Sequence, residues 1–317
     1  MEKIAFLFPG QGSQYLGMGK ALADEYAVVR HTFEEASDLL GYDLAEICFE
    51  GSYSDLADSA IAQPALLTTS ISAFRAYMQE IGVKPDFAAG HSLGEYAALT
   101  ASGALTFKDA LLLVKLRGEL TQQLINNGNG RMTIVDGVHE SIVEQECLSV
   151  DPSGTHVSVS CRNGPEQTAI SGEEDAISRV ELNLQELGSL TPLFKSAPFH
   201  SSLMTEVADQ FTESLHSVNY SRLGWPVISN VTGLPYPDEH SVADLLIRQI
   251  THPVRWSDTM SFLSKQRVSL TVESGPKNVL TALVEANVPK GINVFCFDSR
   301  FDRQNLAQHL NLQGDFI

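Results

Sequence analysis

The sequence has few cysteines, and they lie far apart. Cys48, Cys147, Cys161 and Cys296 form no CxxC pair, which excludes zinc-ribbon and thioredoxin-type sites. Scattered cysteines in a chain of 317 residues are typical of a reducing compartment, where they pack as small hydrophobic residues. No apolar run reaches the roughly 18 residues of a membrane span, and the run at residues 4–8 is too short for a signal peptide. We therefore expect a cytoplasmic protein with no membrane partner.

Positive charge is also scarce. The chain carries 21 Lys and Arg residues against 39 Asp and Glu residues, a formal net charge of −18. This sign is wrong for general binding to nucleic acid, and we expect no such partner. Metal-binding spacings such as HExxH are absent from the sequence, so no metal site is predicted. Hydrophobic residues make up 43% of the chain, which indicates a globular protein with a substantial core.

The order of predicted elements indicates an α/β fold with a small domain inserted into a larger one. Strand and helix patterns alternate in the first part of the chain, including a helix predicted over 64–81, and alternate again after residue 198. Such alternation favours a parallel sheet covered by helices. The segment between follows the order β-α-β-β-α-β, the ferredoxin-like arrangement. We predict a large domain of residues 1–128 and 198–317 and an insert of residues 129–197.

Residues 90–94 read Gly-His-Ser-Leu-Gly and match the G-x-S-x-G pattern. In this pattern a sharp turn from strand to helix exposes the serine hydroxyl, and the glycines permit strained backbone angles. The backbone N–H of Leu93 would then point at an oxyanion. The alternative is an ordinary helix start with Ser92 as its N-cap.

A serine nucleophile needs a base, and the chain has nine histidines. His200 lies where the chain leaves the predicted insert, and functional sites favour such a cleft edge. The alternative for His200 is a structural histidine. His91 adjoins Ser92, but neighbouring side chains on such a turn generally point apart.

Two further segments are candidates for the same site. The loop at residues 10–12 follows the first strand, at the edge where ligands bind in open α/β sheets, and its N–H groups could hold an oxyanion; a plain tight turn is the alternative. Arg117 lies in an apolar helical segment, where a guanidinium needs an anionic partner. A substrate carboxylate suits it; the alternatives are an ion pair with a nearby acid such as Glu119 or a solvated position.

Together these motifs resemble the malonyl-CoA:acyl carrier protein transacylases and the acyltransferase domains of polyketide synthases. The resemblance extends from residue 4 to about residue 297. It rests on the order of its motifs, at residues 8–14, 90–96, 117, 163–167, 199–201, 229–233, 253–256 and 273–276. It implies an α/β-hydrolase-like large domain with a ferredoxin-like insert, and an enzyme that needs no cofactor.

The resemblance also implies a role for each site residue. Ser92 would be the acylated nucleophile and His200 its base, with the backbone N–H groups of Gln11 and Leu93 as the oxyanion hole. Arg117 would bind the malonyl carboxylate. The other residues expected in the substrate pocket are Gln63, Asn163, Phe199, His91 and Gln249. Of these, Gln249 would orient His200 through a carbonyl oxygen.

The implied activity is malonyl transfer through an acyl-serine. The enzyme would take malonyl from malonyl-CoA and pass it to the phosphopantetheine thiol of a holo acyl carrier protein. Phe199 resembles the malonyl-selective acyltransferases of polyketide synthesis, whereas the fatty-acid enzymes more often have serine there. Polyketide synthesis is therefore favoured, fatty-acid synthesis stays open, and we expect a monomer.

Two other functions stay open. A proofreading hydrolase of the same fold would clear acyl groups from carrier proteins, but it would gain nothing from a buried Arg117. A non-catalytic module would dock carrier proteins without turnover, although Ser92, His200 and Arg117 are all present.

Two features complicate the resemblance. Residues 131–133 read Arg-Met-Thr where the family has small residues, and Asp136 is expected to interrupt the strand there; both could alter the pocket or the docking surface. Carrier proteins are acidic, so a net charge of −18 would repel one at long range. We therefore expect a local basic patch at the cleft mouth, with scattered solvated charges as the alternative. Its candidates are Lys195, Arg248, Lys277 and Arg300.

Overall fold

The computed structural model describes residues 2–128, 130–288 and 291–310. The helices are α1 Lys20–Glu25, α2 Ala27–Leu40, α3 Leu44–Glu50, α4 Ser59–Glu80, α5 Gly94–Ala101, α6 Phe107–Asn126, α7 Glu140–Val150, α8 Glu174–Leu184, α9 Thr205–Ser217, α10 Val242–Thr251, α11 Trp256–Lys265, α12 Val279–Asn287 and α13 Arg300–His309. The strands are β1 Lys3–Phe8, β2 Phe87–Gly90, β3 Arg131–Asp136, β4 Val157–Gly164, β5 Gln167–Gly172, β6 Ser189–Leu193, β7 Val227–Ile228, β8 Val268–Glu273 and β9 Asn293–Cys296. Over these ranges, no helix combines the length and apolar character that crossing a bilayer requires.

A parallel sheet of order β7-β2-β1-β8-β9 forms the larger part of the fold. Its central strands read as short apolar runs because both faces are buried, as in other parallel sheets covered by helices. The register pairs Phe8 with Gly90, so β1 and β2 end side by side. The loops that follow these two strands are therefore neighbours, which brings residues 10–12 next to residues 91–94.

A second, antiparallel sheet of order β4-β5-β3-β6 lies between α6 and α9 in the sequence. With α7 and α8 it follows the predicted β-α-β-β-α-β order, so the ferredoxin-like prediction is confirmed. The sheet and its two helices enclose a separate hydrophobic cluster that includes Val135, Val143, Ile170 and Ile177. The predicted first residue of the insert, Asn129, and the chain after residue 310 lie outside the described residues.

Two details of the prediction are wrong. The helix predicted over 64–81 begins at Ser59, because the side chain of Asp58 accepts a hydrogen bond from the backbone N–H of Ala60 and caps the helix before Pro64. Asp136 does not interrupt β3. It is the last residue of that strand and pairs with Gln167 of β5 on one side and Ser189 of β6 on the other.

Arg131, which stands where the family has small residues, connects a strand and a helix of the ferredoxin-like part. Its side chain is 3% exposed, and its Nε lies 3.0 Å from both carboxylate oxygens of Glu174. Its Nη1 and Nη2 donate to the two carboxylate oxygens of Glu181, at 2.6 and 2.8 Å. Such bidentate pairs stabilise a buried guanidinium, so Arg131 joins β3 to α8.

Candidate active site

Residues 90–94 form the sharp turn between β2 and α5. Ser92 has a φ of 52°, in the left-handed region that residues other than glycine rarely adopt. A Cβ added to Gly90 would lie 1.9 Å from the carbonyl carbon of Gly94, and one added to Gly94 would lie 1.9 Å from the carbonyl oxygen of Phe8. Only glycine fits at these two positions, so close backbone packing holds the strained serine at the tip of the turn.

Ser92 and His200 are in hydrogen-bond contact. The Ser92 Oγ lies 2.7 Å from Nε2 of His200, and Nδ1 of His200 lies 2.8 Å from the backbone carbonyl oxygen of Gln249. Because that carbonyl can only accept, Nδ1 carries the proton and Nε2 is free to accept one from the serine. Burial, and secondly the charge of Arg117, lower the pKa of His200 to about 3. The imidazole is therefore neutral at physiological pH, as a base must be.

A buried carboxyl group beneath this pair was missed by the sequence analysis. Glu95 has no exposed surface. Its two oxygens accept hydrogen bonds from the hydroxyl of Tyr236 at 2.6 Å, Nε2 of Gln249 at 2.6 Å and the backbone N–H of Asn230 at 3.1 Å. Burial raises the pKa of Glu95 to about 7, and the hydrogen bonds from Tyr236 and Gln249 act in the opposite direction. Nε2 of Gln249 also donates to the carbonyl oxygen of Ser92 at 2.9 Å, so Glu95 holds the residue that supports both members of the pair.

Asn230 was also missed as a site residue, although its motif was noticed. Its Oδ1 accepts the backbone N–H of Ser92 at 2.7 Å, and its Nδ2 donates to the carbonyl oxygen of Gly90 at 2.6 Å. The signal was a polar pair directly after β7, which lies beside β2 in the sheet. Asn230 braces the strained turn from that neighbouring strand.

Two backbone N–H groups are available beside the serine. Within the described residues, neither the N–H of Leu93 nor that of Gln11 donates a hydrogen bond to another group of the protein. A Cβ added to Gly10 would lie 3.7 Å from the Leu93 nitrogen, so the loop after β1 packs against the start of α5. The predicted oxyanion donors therefore lie on adjoining turns, with their hydrogen-bonding capacity unused.

Arg117 is a buried cation next to the nucleophile. It is 2% exposed, its Nη1 donates to Oε1 of Gln63 at 2.9 Å, and its Nη2 lies 3.4 Å from Oγ of Ser92. The rings of Tyr96 and Phe199 each have their centroid 5.9 Å from its Cζ. Burial lowers the pKa of Arg117. The position is not solvated, which excludes one of the two alternatives considered for it.

The other alternative, an ion pair with Glu119, is wrong. The Glu119 carboxylate lies 3.9 Å from the ammonium of Lys115, on the same helix. No carboxylate pairs with Arg117 in the described part of the chain, and its Nε has no hydrogen-bond partner there. Because an unpaired buried charge is costly, a guanidinium in this state favours the binding of an anionic group.

The remaining predicted pocket residues join the same network. Gln63 holds Arg117 and lies 3.4 Å, through its Nε2, from the side-chain oxygen of Gln11. The Phe199 ring is 6.3 Å from the His200 ring, centroid to centroid. His91 turns away from the serine, and its Nε2 lies 2.8 Å from Oδ1 of Asn163. In the described ranges no cluster of three or more His, Cys, Asp or Glu side chains could hold a metal ion.

The predicted basic patch is tested only in part. All four candidates, Lys195, Arg248, Lys277 and Arg300, are exposed. Lys277 reaches the site's edge, where its Nζ lies 3.5 Å from the carbonyl oxygen of Gly12. Nε of Arg300 instead lies 3.8 Å from a carboxylate oxygen of Glu25. The patch as a whole stays a prediction.

Taken together, the site holds a serine, a neutral histidine, two free backbone N–H groups and a buried cation. This arrangement can form an acyl-serine from an activated acyl group that itself carries a negative charge. The comparisons with known proteins agree with this chemistry. Residues 5–296 match the family model described as "Acyl transferase domain".

Relatives and solved structures extend the match over nearly the whole chain. A Bacillus subtilis protein named malonyl CoA-acyl carrier protein transacylase is 42% identical over 90% of this chain and 72% of its own. A polyketide biosynthesis malonyl CoA-acyl carrier protein transacylase of Bacillus velezensis is 38% identical over 89% of this chain and 95% of its own. A malonyl-transacylase solved with a type II polyketide synthase carrier protein superimposes with a TM-score of 0.92 at 35% identity, covering 97% and 99% of the two chains. The chain therefore belongs to the acyl transferase family.

Proposed function

We propose that this protein is a malonyl-CoA:acyl carrier protein S-malonyltransferase, which moves a malonyl group from malonyl-CoA to the phosphopantetheine thiol of a holo acyl carrier protein. The observation that carries the proposal is the buried, unpaired guanidinium of Arg117 3.4 Å from the hydroxyl of Ser92. A site for uncharged acyl chains would bear the cost of burying that cation without any return. The relatives named above act on the same pair of substrates by name.

In the first half-reaction, Oγ of Ser92 attacks the thioester carbonyl while its proton passes to Nε2 of His200. The tetrahedral oxyanion accepts hydrogen bonds from the backbone N–H groups of Gln11 and Leu93. The C–S bond then breaks, and the departing thiolate of coenzyme A takes the proton from His200. The product is a malonyl-serine and free coenzyme A.

The second half-reaction runs in the reverse sense. The phosphopantetheine thiol of the carrier protein gives its proton to His200, and the sulfur attacks the acyl-serine carbonyl. The same two N–H groups hold the second oxyanion. Oγ of Ser92 then leaves and recovers its proton from His200, which restores the free enzyme.

The neighbouring side chains set geometry and selectivity in this scheme. Arg117 binds the malonyl carboxylate through paired N–H groups, and Gln63 keeps the guanidinium in place from 2.9 Å. Gln249 orients His200 through its main-chain carbonyl. Phe199, which is 8% exposed and close to both His200 and Arg117, restricts the space around the acyl group. The pathway served is polyketide or fatty-acid synthesis.

We also infer the setting of the enzyme. All four cysteines are buried and none is in a disulfide, which supports a reducing, cytoplasmic location. The second hydrophobic cluster is formed only by residues between Val135 and Leu190, which supports an insert of residues 129–197 in a large domain of residues 1–128 and 198–317. We expect the enzyme to act as a monomer, with His91 and Asn163 forming part of the pocket wall.

Initial-rate kinetics with malonyl-CoA and a holo carrier protein test the proposal. A malonyl-serine intermediate predicts parallel double-reciprocal plots, because coenzyme A leaves before the carrier protein reacts. Ser92→Ala and His200→Ala should each reduce the rate at least a hundredfold. Intersecting plots, or full activity in Ser92→Ala, would contradict the mechanism.

A further inference from the structure

A chain of four side chains leads from the active-site turn to the far end of β3. Nε2 of His91 lies 2.8 Å from Oδ1 of Asn163, and Nδ2 of Asn163 donates to Oε1 of Gln167 at 3.2 Å. Nε2 of Gln167 in turn donates to Oδ1 of Asp136 at 2.6 Å. The chain thus connects the turn beside Ser92 to β4, β5 and β3 of the second sheet.

Strand geometry explains why these side chains meet. Asp136 and Gln167 are paired directly across β3 and β5. The β4–β5 register shifts between Arg162 and Gly164, so Asn163 is an extra residue with no partner opposite. Such a bulge re-aims a side chain, and bulges are frequent beside active sites. Here the bulge directs Asn163 at both Gln167 and His91.

The charged end determines the direction of every hydrogen bond in the chain. A carboxylate has no proton to give, so Asp136 can only accept, and Gln167 must turn its NH2 group toward it. That leaves Oε1 of Gln167 facing Asn163, which must donate through Nδ2. Oδ1 of Asn163 then faces His91, and an amide oxygen can accept only from a nitrogen that carries hydrogen. Nε2 of His91 must therefore be protonated.

We propose that Asp136 is a positioning residue that holds His91 in its Nε2–H form beside the nucleophile, acting through Gln167 and Asn163. Without a charged terminus, each amide could turn over and the chain could run in the opposite direction with hydrogen on Nδ1 of His91. Desolvation lowers the pKa of His91, so its ring is neutral and can carry its hydrogen on either Nδ1 or Nε2. The effect of this tautomer on catalysis rests on the proposed malonyl transfer, whereas the assignment of the tautomer does not depend on that proposal.

Nitrogen NMR of protein labelled with 15N-histidine tests the proposal directly, because protonated and unprotonated ring nitrogens have distinct chemical shifts. His91→Gln identifies the signals. In the unaltered protein, His91 should show the Nε2–H form alone. In Asp136→Asn, which has the same shape but can also donate, both tautomers should appear. Asp175→Asn, an exposed site on α8 with the same change of charge, should leave the spectrum unchanged.

The kinetic consequence depends on whether the enzyme works only with hydrogen on Nε2 of His91. If it does and the two directions of the chain become equally populated, the active fraction of the enzyme falls to about one half, and kcat/KM for malonyl-CoA falls about twofold. Asp175→Asn should retain full activity. Should Asp136→Asn fail to fold, Gln167→Met interrupts the chain instead and should also give mixed His91 tautomers.

Two results would overturn the proposal. One is an Nδ1–H or mixed signal for His91 in the unaltered protein. The other is a single Nε2–H signal that persists in both Asp136→Asn and Gln167→Met. Neither spectrum requires turnover, so an enzyme inactive toward malonyl-CoA would refute the proposed function while leaving this test valid.

Discussion

Replacing Arg117 by glutamine should separate substrate recognition from folding. The substitution removes the positive charge and keeps a polar side chain, but glutamine is too short to replace the hydrogen bond from Nη1 of Arg117 to Gln63. In the free protein, the guanidinium is 2% exposed and has no carboxylate partner among the described residues. Removing this cation ends the cost of burying it, which offsets the lost contacts with Gln63, Tyr96 and Phe199. Arg117→Gln should therefore unfold at a denaturant concentration close to that of the parent protein.

The effect on catalysis should be large and confined to acyl groups that carry a carboxylate. Two unit charges at about 4 Å attract by about 4 kcal/mol at an effective dielectric constant of about 20. Since about 1.4 kcal/mol corresponds to a factor of ten, acylation of Ser92 by malonyl-CoA should slow about a thousandfold in kcat/KM. Acetyl-CoA has no carboxylate, so its slow acylation should change by less than about fivefold.

The assay is the initial rate of Ser92 acylation, followed by intact mass spectrometry with each thioester. Arg117→Lys is the matched variant, because it keeps the charge and loses the paired N–H groups; it should recover part of the malonyl rate and none of the paired geometry. Equal losses with malonyl-CoA and acetyl-CoA would refute the reasoning, since they would show that Arg117 supports Ser92 or the fold and does not bind the malonyl carboxylate. An unfolding midpoint well below that of the parent would also refute it.

Three further predictions concern the support of the site. The His200 ring should stay uncharged in an NMR titration from pH 8 to 5, because burial, followed by the charge of Arg117, lowers its pKa to about 3; a midpoint near the ordinary value of about 6.5 would contradict this. Gly94→Ala should destabilise the protein by more than about 3 kcal/mol in chemical unfolding, since the new Cβ would lie 1.9 Å from a carbonyl oxygen of β1. The control Gly164→Ala, whose nearest neighbouring atom lies at 3.5 Å, should cost under about 1 kcal/mol. Equal costs would show that the turn tolerates a side chain. Glu95→Gln should lower stability by about 1–3 kcal/mol and reduce kcat, because Gln249 must turn its oxygen toward the new amide and withdraw its N–H from the serine carbonyl; unchanged stability and kcat would remove Glu95 from the site.

The overall architecture could be predicted from sequence because each layer has its own pattern. Buried parallel strands read as short apolar runs, and β1 and β2 do so clearly. The second sheet was recognised by element order, which survives errors of a few residues at element ends. Helix α4 shows the limit of this approach. Pro64 suggested that the helix begins there, but the helix begins five residues earlier, at Ser59, after the cap at Asp58.

Ser92 and Arg117 could be recognised as candidates from local sequence patterns, and His200 from its place at the end of the insert. Gln63, Asn163, Phe199 and Gln249 were expected only from the family resemblance. The residues beneath the site could not be predicted, since their contacts join distant parts of the chain. Glu95 contacts Tyr236 and Gln249, which lie 141 and 154 residues further along the chain. A glutamate inside a helix also ordinarily lies at the surface. Asp136 stood out in the sequence as a charged residue in a predicted strand. Its connection to His91 depends on the β3–β5 register and on a bulge at Asn163, and neither can be read from the residue types alone.

Intact mass spectrometry with a chase tests the central claim most directly. The protein is incubated with malonyl-CoA, beside a Ser92→Ala control, and holo acyl carrier protein is then added. The proposed function predicts a malonyl adduct that requires Ser92 and moves to the carrier protein. An adduct lost to water at the same rate with or without carrier protein would contradict the transferase and indicate a hydrolase. The absence of any adduct would contradict the catalytic role of Ser92 itself.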